Sequence, residues 1–464
     1  MKKAKEKYLF SIKNKDELAN LTHEELLEYT KNLTDDWHKN KKKPKKDSSN
    51  SSLPSSKDIA PTTNKRNQST RESSGKLSGG QKGHKGSTLK QSDTPDEIIE
   101  IKFTIDNCQK CGFNLSKVVA ELKERRQILD LDLKETNKKI TEYQSYSKEC
   151  PECGELNHDN SYPNFVAPHI SYGKNIMAIV VYLSVVHYIS YGRIVDTLKT
   201  LHKISISEGT VDKLLKKASK LSQLEIDKLV SQLELSDVVG IDETGVKVDG
   251  QRDWHWVFQN DSCTYIVHSE SRGTKVINEH FENGFINATV GHDNYSSYSS
   301  LIAKDEQLCL AHKLRDLNYA IDCDDTQVMK DMKQLLKEAM LDHKLDILQA
   351  QREILKEQYL LMFDMLLKTE VEDKSETAKQ INSLTKARDK IFTFLLYPKV
   401  DPDNNSSERA IRNIKVKLKV SGQFKSTQGA KDYATLRSVV DTARKREMNE
   451  FETIRNIVDG KSIF

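Results

Sequence analysis

Two short apolar runs, each closed by an aspartate, constrain this chain more than any other feature: Val238-Val239-Gly240-Ile241-Asp242 and Ala288-Thr289-Val290-Gly291-His292-Asp293. They are too short for helices, and rich in the residues that favour the buried centre of a sheet. Each aspartate therefore falls at a strand end, on the rim of a sheet. Side chains alternate across a strand, so Asp242 shares a face with Thr244 while Glu243 points the other way. His292 alternates away from Asp293 for the same reason. Strands are expected over 237–248, 254–259, 265–269, 289–293 and 307–311. From His292 to Tyr397 there is neither glycine nor proline. Leu335, Leu336, Met340, Leu345, Leu348, Leu355, Leu360, Met365 and Leu366 recur there at helical spacing, which predicts long helices over 326–397.

A third acid comes after that helical stretch, in Asn404-Asn405-Ser406-Ser407-Glu408-Arg409-Ala410-Ile411-Arg412. Glu408 lies in the first turn of a helix that Asn404, Asn405 or Ser406 can cap. Asp401 and Asp403 compete for the same role, but a helix fixes a side chain better than a loop does. Two strand-end aspartates and one helix glutamate have the donor set for a pair of hard divalent cations, Mg²⁺ or Mn²⁺, of the kind that clamps the attacking and leaving oxygens of a phosphodiester.

Charge is distributed to match. The whole chain is close to neutral, with 73 Lys+Arg against 69 Asp+Glu. Yet residues 39–90 carry 14 Lys/Arg and three acids, and residues 405–446 carry 11 Lys/Arg and three acids. Two basic blocks on a near-neutral chain point to a polyanion partner, double-stranded DNA. Lys82 and Lys85 lie in the first block. Arg409, Arg412, Lys415, Lys417, Lys419 and Lys425 lie in the second, directly after the glutamate. A further set, Lys213, Lys216 and Lys217, falls on the second helix of a helix-turn-helix pattern. Its first helix is expected at about 193–202 and its second at 207–221, with a capping box in Ser205-Ile206-Ser207-Glu208.

Cys108-Gln109-Lys110-Cys111 and Cys150-Pro151-Glu152-Cys153 are paired C-x-x-C knuckles separated by 38 residues. Each knuckle puts two thiolates on one side of a tight turn, and two knuckles complete a tetrahedral structural Zn²⁺ site of Cys108, Cys111, Cys150 and Cys153. A strand pair is expected between them, around 129–142, and His158 is a substitute ligand. No signal peptide is expected, because no long apolar run follows Met1–Lys7. The most apolar stretch, Ile176–Ile189, falls short of the ~20 residues a membrane span needs. The expected compartment is therefore the cytoplasm, with cysteines kept reduced.

The expected organisation follows. Residues 1–46 form a helical region, with Thr22-His23-Glu24-Glu25 as a capping box. Residues 47–90 form a flexible basic linker, too polar to offset chain entropy. Residues 91–165 bind zinc, and 166–235 are helical with the helix-turn-helix. Residues 236–325 and 398–446 form the catalytic domain around the helical insertion at 326–397, and 447–464 form a tail. The class is mixed, multidomain α/β.

At this point the chain resembles a bacterial DDE transposase of the insertion-sequence sixty-six family. The matching pieces are Gly240-Ile241-Asp242-Glu243-Thr244, Trp254 to Phe258, Asp293-Asn294-Tyr295-Ser296-Ser297-Tyr298, Cys309-Leu310-Ala311-His312-Lys313-Leu314-Arg315, and Asn405 to Arg412. The zinc knuckles and Gly80 to Gly86 match the family's N-terminal region. The resemblance implies an RNase-H-like catalytic domain with a helical insertion and a triad of Asp242, Asp293 and Glu408. It also implies a homo-oligomer on DNA, with accessory proteins encoded by the same element. His312 and Arg315 fall in a family motif, either as neighbours that support the triad or as groups that position a phosphate. Asn294 departs from the family, which usually has glycine there. Lys415-Val416-Lys417-Leu418-Lys419 stands where many members have a Gly-Arg-Lys run. The rival class is a non-catalytic zinc-dependent DNA-binding protein, a regulator or decayed transposase. It needs the knuckles and the basic linker but not the acids.

Overall fold

A computed structural model describes residues 22–40, 46, 147–149, 156–158 and 172–464. Lys82, Lys85 and the four knuckle cysteines lie outside the described residues, as does the strand pair expected at 129–142. The chain divides into two compact units. One comprises residues 1–68, 164–196 and 206–464, the other 69–163 and 197–205. In the second unit, β1 (Ser147–Glu149) pairs antiparallel with β2 (Leu156–His158), so the two strands bracket the Cys150–Cys153 knuckle in sequence.

The first unit carries helix α1 (His23–Asn40), whose start is the expected capping box. The Glu25 amide donates to Thr22 Oγ1 at 3.3 Å, and the Thr22 amide donates back to Glu25 Oε2 at 2.9 Å. Helices α2 (Lys174–Val181), α3 (Tyr191–His202), α4 (Glu208–Leu221) and α5 (Gln223–Glu234) follow. Ser207 caps α4 by accepting from the Thr210 amide, so the cap sits two residues later than the expected Ser205.

Five strands form one mixed sheet: β3 (Val238–Val248), β4 (Gln251–Gln259), β5 (Thr264–Ser269), β6 (Phe285–His292) and β7 (Ala303–Leu308), in the order β5-β4-β3-β6-β7. The β5-β4-β3 half is antiparallel, while β6 and β7 join in parallel. The last strand is displaced from the expected 307–311. Its polar Lys304-Asp305-Glu306 segment runs along the sheet edge, and Cys309 already caps a helix.

One sheet face packs Val239, Ile241, Trp256, Phe258 and Val290 against Ile226, Leu229 and Leu233 of α5 and against Val276 and Phe281, the first of these from helix α6 (Lys275–His280). A second core joins α7 (Leu310–Asp324), which precedes the expected insertion, to the helices within it, α8 (Gln327–Asp342), α9 (Gln349–Leu367), α10 (Glu376–Lys386) and α11 (Thr393–Leu396). Its helical periodicity overstates burial: Leu345 and Leu348 fall in the connection before α9 and are exposed, as is Met365 of α9, which spreads apolar residues around its circumference. The chain then returns through α12 (Asn405–Ser421), which packs on β3, and α13 (Thr427–Lys445), which packs on β5. The expected tail 447–464 is instead closed by α14 (Glu450–Val458). Asn449 caps this helix, and Ile454, Ile457 and Val458 are buried along one stripe.

Candidate active site

The parallel pairing of β3 with β6 matches Val238 to Thr289, Val239 to Val290 and Gly240 to Gly291. Carried two residues further, that register brings Asp242 level with Asp293, on neighbouring strands about 4.8 Å apart and on the same face. Electrostatics agree. The Asp242 carboxyl is pushed well above the usual carboxylate range, first by burial, then by the negative charges of Asp293 and Glu243 and, more weakly, of Glu408. Its Oδ1 accepts from the Glu243 amide at 2.9 Å, and Asp293 Oδ1 accepts from the Tyr295 amide at 2.9 Å. Asn294, between them, has φ +69°. That left-handed turn favours glycine, and asparagine is one of the few other residues that tolerate it, which accounts for its standing in a glycine position.

The neighbouring acid is used structurally. Glu243 points to the opposite face, where Arg272 Nε and Nη2 donate to Oε1 at 2.9 and 2.6 Å and the Tyr298 hydroxyl donates to Oε2. Tyr298 is buried, and Tyr295 stacks on the Arg272 guanidinium at 3.5 Å. His292 also turns away. Its Nδ1 accepts from the Asn294 amide at 3.1 Å, so Nε2 carries the proton and donates to Glu306 at 2.8 Å.

Glu408 reaches this rim because α12 is latched to β3. Asn404 begins the helix, yet its side chain makes no cap bond. Instead Nδ2 donates to the Ile241 carbonyl at 2.7 Å, and Oδ1 accepts from Ser407 Oγ at 2.6 Å, whose oxygen in turn accepts from Gln259 Nε2 at 3.2 Å. Gly240 makes the approach feasible. A Cβ there would lie 2.6–2.8 Å from Gln259 Nε2, Ser407 Oγ and Asn404 Oδ1. The start of α7 is stitched in as well. The Cys309 amide donates to the His292 carbonyl at 2.8 Å, and the Leu310 amide donates to the Pro402 carbonyl at 2.9 Å.

These ties bring His312 and Arg315 beside the glutamate. His312 Nε2 is 3.9 Å and Arg315 Nη2 is 3.6 Å from Glu408 Oε1, while Arg412 Nη2 is 3.7 Å from Oε2. The His312 imidazole is held below its ordinary value by burial and then by the Arg315 charge, against the pull of Asp293 and Glu408. His312 therefore feels both the strand acid and the helix acid. Cys309 Sγ, a His312 nitrogen and a Glu408 oxygen lie within 4.8 Å of one another. Burial pushes the Cys309 thiol up to about 12, and its sulfur accepts from the Asn404 amide at 3.2 Å. A protonated thiol is a poor metal ligand, so Cys309 belongs to the latch.

The cations predicted from sequence separate into two groups. Lys213, Lys216 and Lys217 are exposed along α4, and Arg409, Arg412, Lys419 and Lys425 are exposed on and after α12. Lys417 is buried beneath the Tyr191 and Tyr433 rings, at 5.7 and 6.0 Å, which withdraws it from any DNA surface. Lys415 is half-buried, with Nζ donating to the Gly245 carbonyl at 2.9 Å. Both ammonium groups are held below the usual lysine range by desolvation. The period of an α-helix explains the division: the helix turns Ile414 and Lys417 inward together, whatever their chemistry.

The family model for IS66 transposases matches residues 169–432, more than half of the 464-residue chain. The chain belongs to that family. No curated protein matches it. The matched span of this IS66 transposase contains the whole five-stranded sheet, Asp242, Asp293 and Glu408. Membership makes DNA its partner. Among the described residues no helix is long and apolar enough to cross a membrane. Sequence reasoning missed the Asn404–Ser407–Gln259 latch, the Glu243–Arg272–Tyr298 cluster and Cys309. Asn404 was visible only as a helix cap, and nothing local distinguishes a capping asparagine from one bonded to a distant strand.

Proposed function

We propose that this IS66 transposase is a DDE enzyme that hydrolyses the phosphodiester at transposon ends and joins the freed 3′-hydroxyl to target DNA. The observation that carries the reading is the register that levels Asp242 with Asp293 while α12 delivers Glu408 to the same rim. A sheet of three antiparallel and two parallel strands, in the order β5-β4-β3-β6-β7, supports an RNase-H-like domain. The donor set fits hard divalent cations: carboxylate oxygens crowd together, and the buried Asp242 resists ionising beside its neighbours until a cation neutralises them. Two Mg²⁺ or Mn²⁺ ions would be held by Asp242, Asp293 and Glu408, and when bound they supply an activated water and charge neutralisation at the scissile phosphate.

The chain's own groups do the rest. Arg315 and Arg412 hold the Glu408 carboxylate in place, and each can turn a donor to a phosphate oxygen when DNA enters. Neutral His312 lies beside Glu408 and can accept a proton from water. Glu243, bonded to Arg272 and Tyr298, keeps the strand end rigid. Lys213, Lys216 and Lys217 form an exposed row suited to the DNA backbone. The four knuckle cysteines hold structural zinc. Two transposon ends are joined by a homo-oligomer at the bacterial nucleoid, with accessory proteins of the same element.

The test is cleavage of transposon-end DNA in Mg²⁺ and in Mn²⁺. Asp242→Asn, Asp293→Asn and Glu408→Gln are each expected to lower the rate at least ~10³-fold while DNA affinity stays within a few fold. Near wild-type cleavage by any of the three would remove that residue from the triad. A strand-transfer product from a pre-cut end distinguishes a transposase from a nuclease that stops at hydrolysis.

A further inference from the structure

The β3–β4 hairpin runs on past the end of β6, and its outer part carries positive charge that the triad does not use. A cavity of about 330 Å³ lies between this hairpin and α12, lined by Lys247, Arg252 and Lys415 together with Gly245, Gly250 and Leu418. No acid lines it. Lys247 and Arg252 face each other across the hairpin and are exposed. Among the described residues neither has a carboxylate partner, and the Arg252 guanidinium rests over the face of Trp254, at 4.9 Å. Lys415 is fixed from below by the Gly245 carbonyl.

The hairpin is also rigid. Asp249 and Gly250 take left-handed conformations at its tip, with φ +44° and +80°. The Asp249 amide donates to the Phe424 carbonyl at 2.9 Å, the Phe424 amide to the Lys247 carbonyl at 2.8 Å, and the Gly250 amide to Gln423 Oε1 at 3.0 Å. A preformed concavity lined by three cations, with no acid among the described lining residues, suits an anion. Its place in the sheet says which anion. Lys247 is five residues beyond Asp242 on β3, about 17 Å along the strand at ~3.3 Å per residue, and the odd spacing turns its side chain to the other face, so the route between them is the β3 edge that β6 leaves unpaired beyond Gly240. Lys415 meets the same strand nearer the rim, at the Gly245 carbonyl, three residues beyond Asp242.

The geometry points to a phosphate-binding cradle formed by Lys247, Arg252 and Lys415, which holds the backbone of the DNA strand flanking the scissile bond. This rests on the reading of Asp242, Asp293 and Glu408 as the cleavage site. The helix rises 3.4 Å per step and each strand also winds round its axis, so ~17 Å reaches at most about five nucleotides, and the cradle takes phosphates within that distance of the scissile position. Bidentate Arg252 fixes register there, while Lys247 and Lys415 act as point charges. Bases carry no role in this interaction, so it is indifferent to sequence.

The test is salt-dependent binding of the full-length protein to transposon-end duplex, with Lys247→Gln/Arg252→Gln beside wild type and Asp242→Asn. Both substituted cations are exposed, so the melting temperature should not move. The double variant is expected to lower affinity about tenfold or more at moderate salt and to reduce the slope of log K against log salt by about 2, roughly one unit for each phosphate no longer neutralised. Neutral methylphosphonates placed two to five steps from the cut should weaken wild-type binding clearly more than binding by the double variant, which keeps only Lys415 of the cradle. An unchanged slope, or equal sensitivity of both proteins to the methylphosphonates, would overturn the cradle. Asp242→Asn separates this from the catalytic reading: its binding slope should match wild type, and cleavage by that variant would sink the triad while leaving the cradle standing.

Discussion

Replacing Asn404 with alanine tests whether one side chain holds the glutamate helix to the aspartate strand. Asn404 is buried, and its amide group makes two short bonds, to the Ile241 carbonyl at 2.7 Å and from Ser407 at 2.6 Å. Alanine removes both and orphans a strand carbonyl and a buried hydroxyl. At ~1–3 kcal/mol for each buried group left without a partner, the loss should be about 2–6 kcal/mol of stability. Ser407→Ala also removes two bonds, to Asn404 Oδ1 and from Gln259 Nε2, so it should cost a comparable amount while leaving the tie to the Ile241 carbonyl in place. The two changes share a partner, so their double mutant should be less destabilised than the sum. Denaturant unfolding measures this. Function should suffer separately, because Glu408 lies one turn beyond the latch, and a displacement of about 1 Å costs ~10²-fold in rate. The expected pattern under conditions where both proteins are folded is a fall in cleavage rate of that order with DNA affinity nearly intact. Stability within ~0.5 kcal/mol of wild type together with cleavage within about threefold would refute the latch.

Three further outcomes follow from the same structure. Gly240→Ala places a methyl group 2.6–2.8 Å from three side-chain atoms of the latch, so it should lower both the melting temperature and the cleavage rate, and an unaltered rate would mean that α12 can retreat without moving Glu408. Asn294→Ala should destabilise by about 1 kcal/mol and Asn294→Gly should be neutral or better, as read by thermal melting, since only the left-handed backbone is at stake. His255 is buried, and burial followed by the charges of His268 and Lys415 lowers its value from 6.5 to about 3. The unfolded chain then binds the extra proton between those values, so stability should fall as pH drops below about 6.5, by up to ~1.4 kcal/mol per pH unit. His268, also lowered by burial although Asp253 lies 3.2 Å away, adds to the same trend. His255→Phe should flatten the curve between pH 4 and 6.5, and an unchanged slope would show that His255 does not carry it.

By itself the sequence determined the strand that leads into Asp293, the helix that bears Glu408, the Thr22–Glu25 capping box and the helices after His292, whereas Asp242, expected at a strand end, lies inside β3 at the point where its pairing with β6 stops. The elements so determined follow from local periodicity and from hydrogen bonds between residues three or four apart, which a chain carries in its own order. Tertiary structure decided the rest. Asp293 lies 51 residues beyond Asp242, and Glu408 a further 115. Whether they meet depends on the parallel register of β3 with β6 and on Asn404 reaching the Ile241 carbonyl. Side-chain type did not decide the fate of Lys417, which is buried under two tyrosine rings, while Arg409 and Arg412 of the same helix stay exposed. Nor did it distinguish Glu243, which two distant partners claim, from the acid beside it. Identity fixes what a residue can do chemically, but burial and partners are properties of contacts between remote segments, and those exist only once the chain has packed.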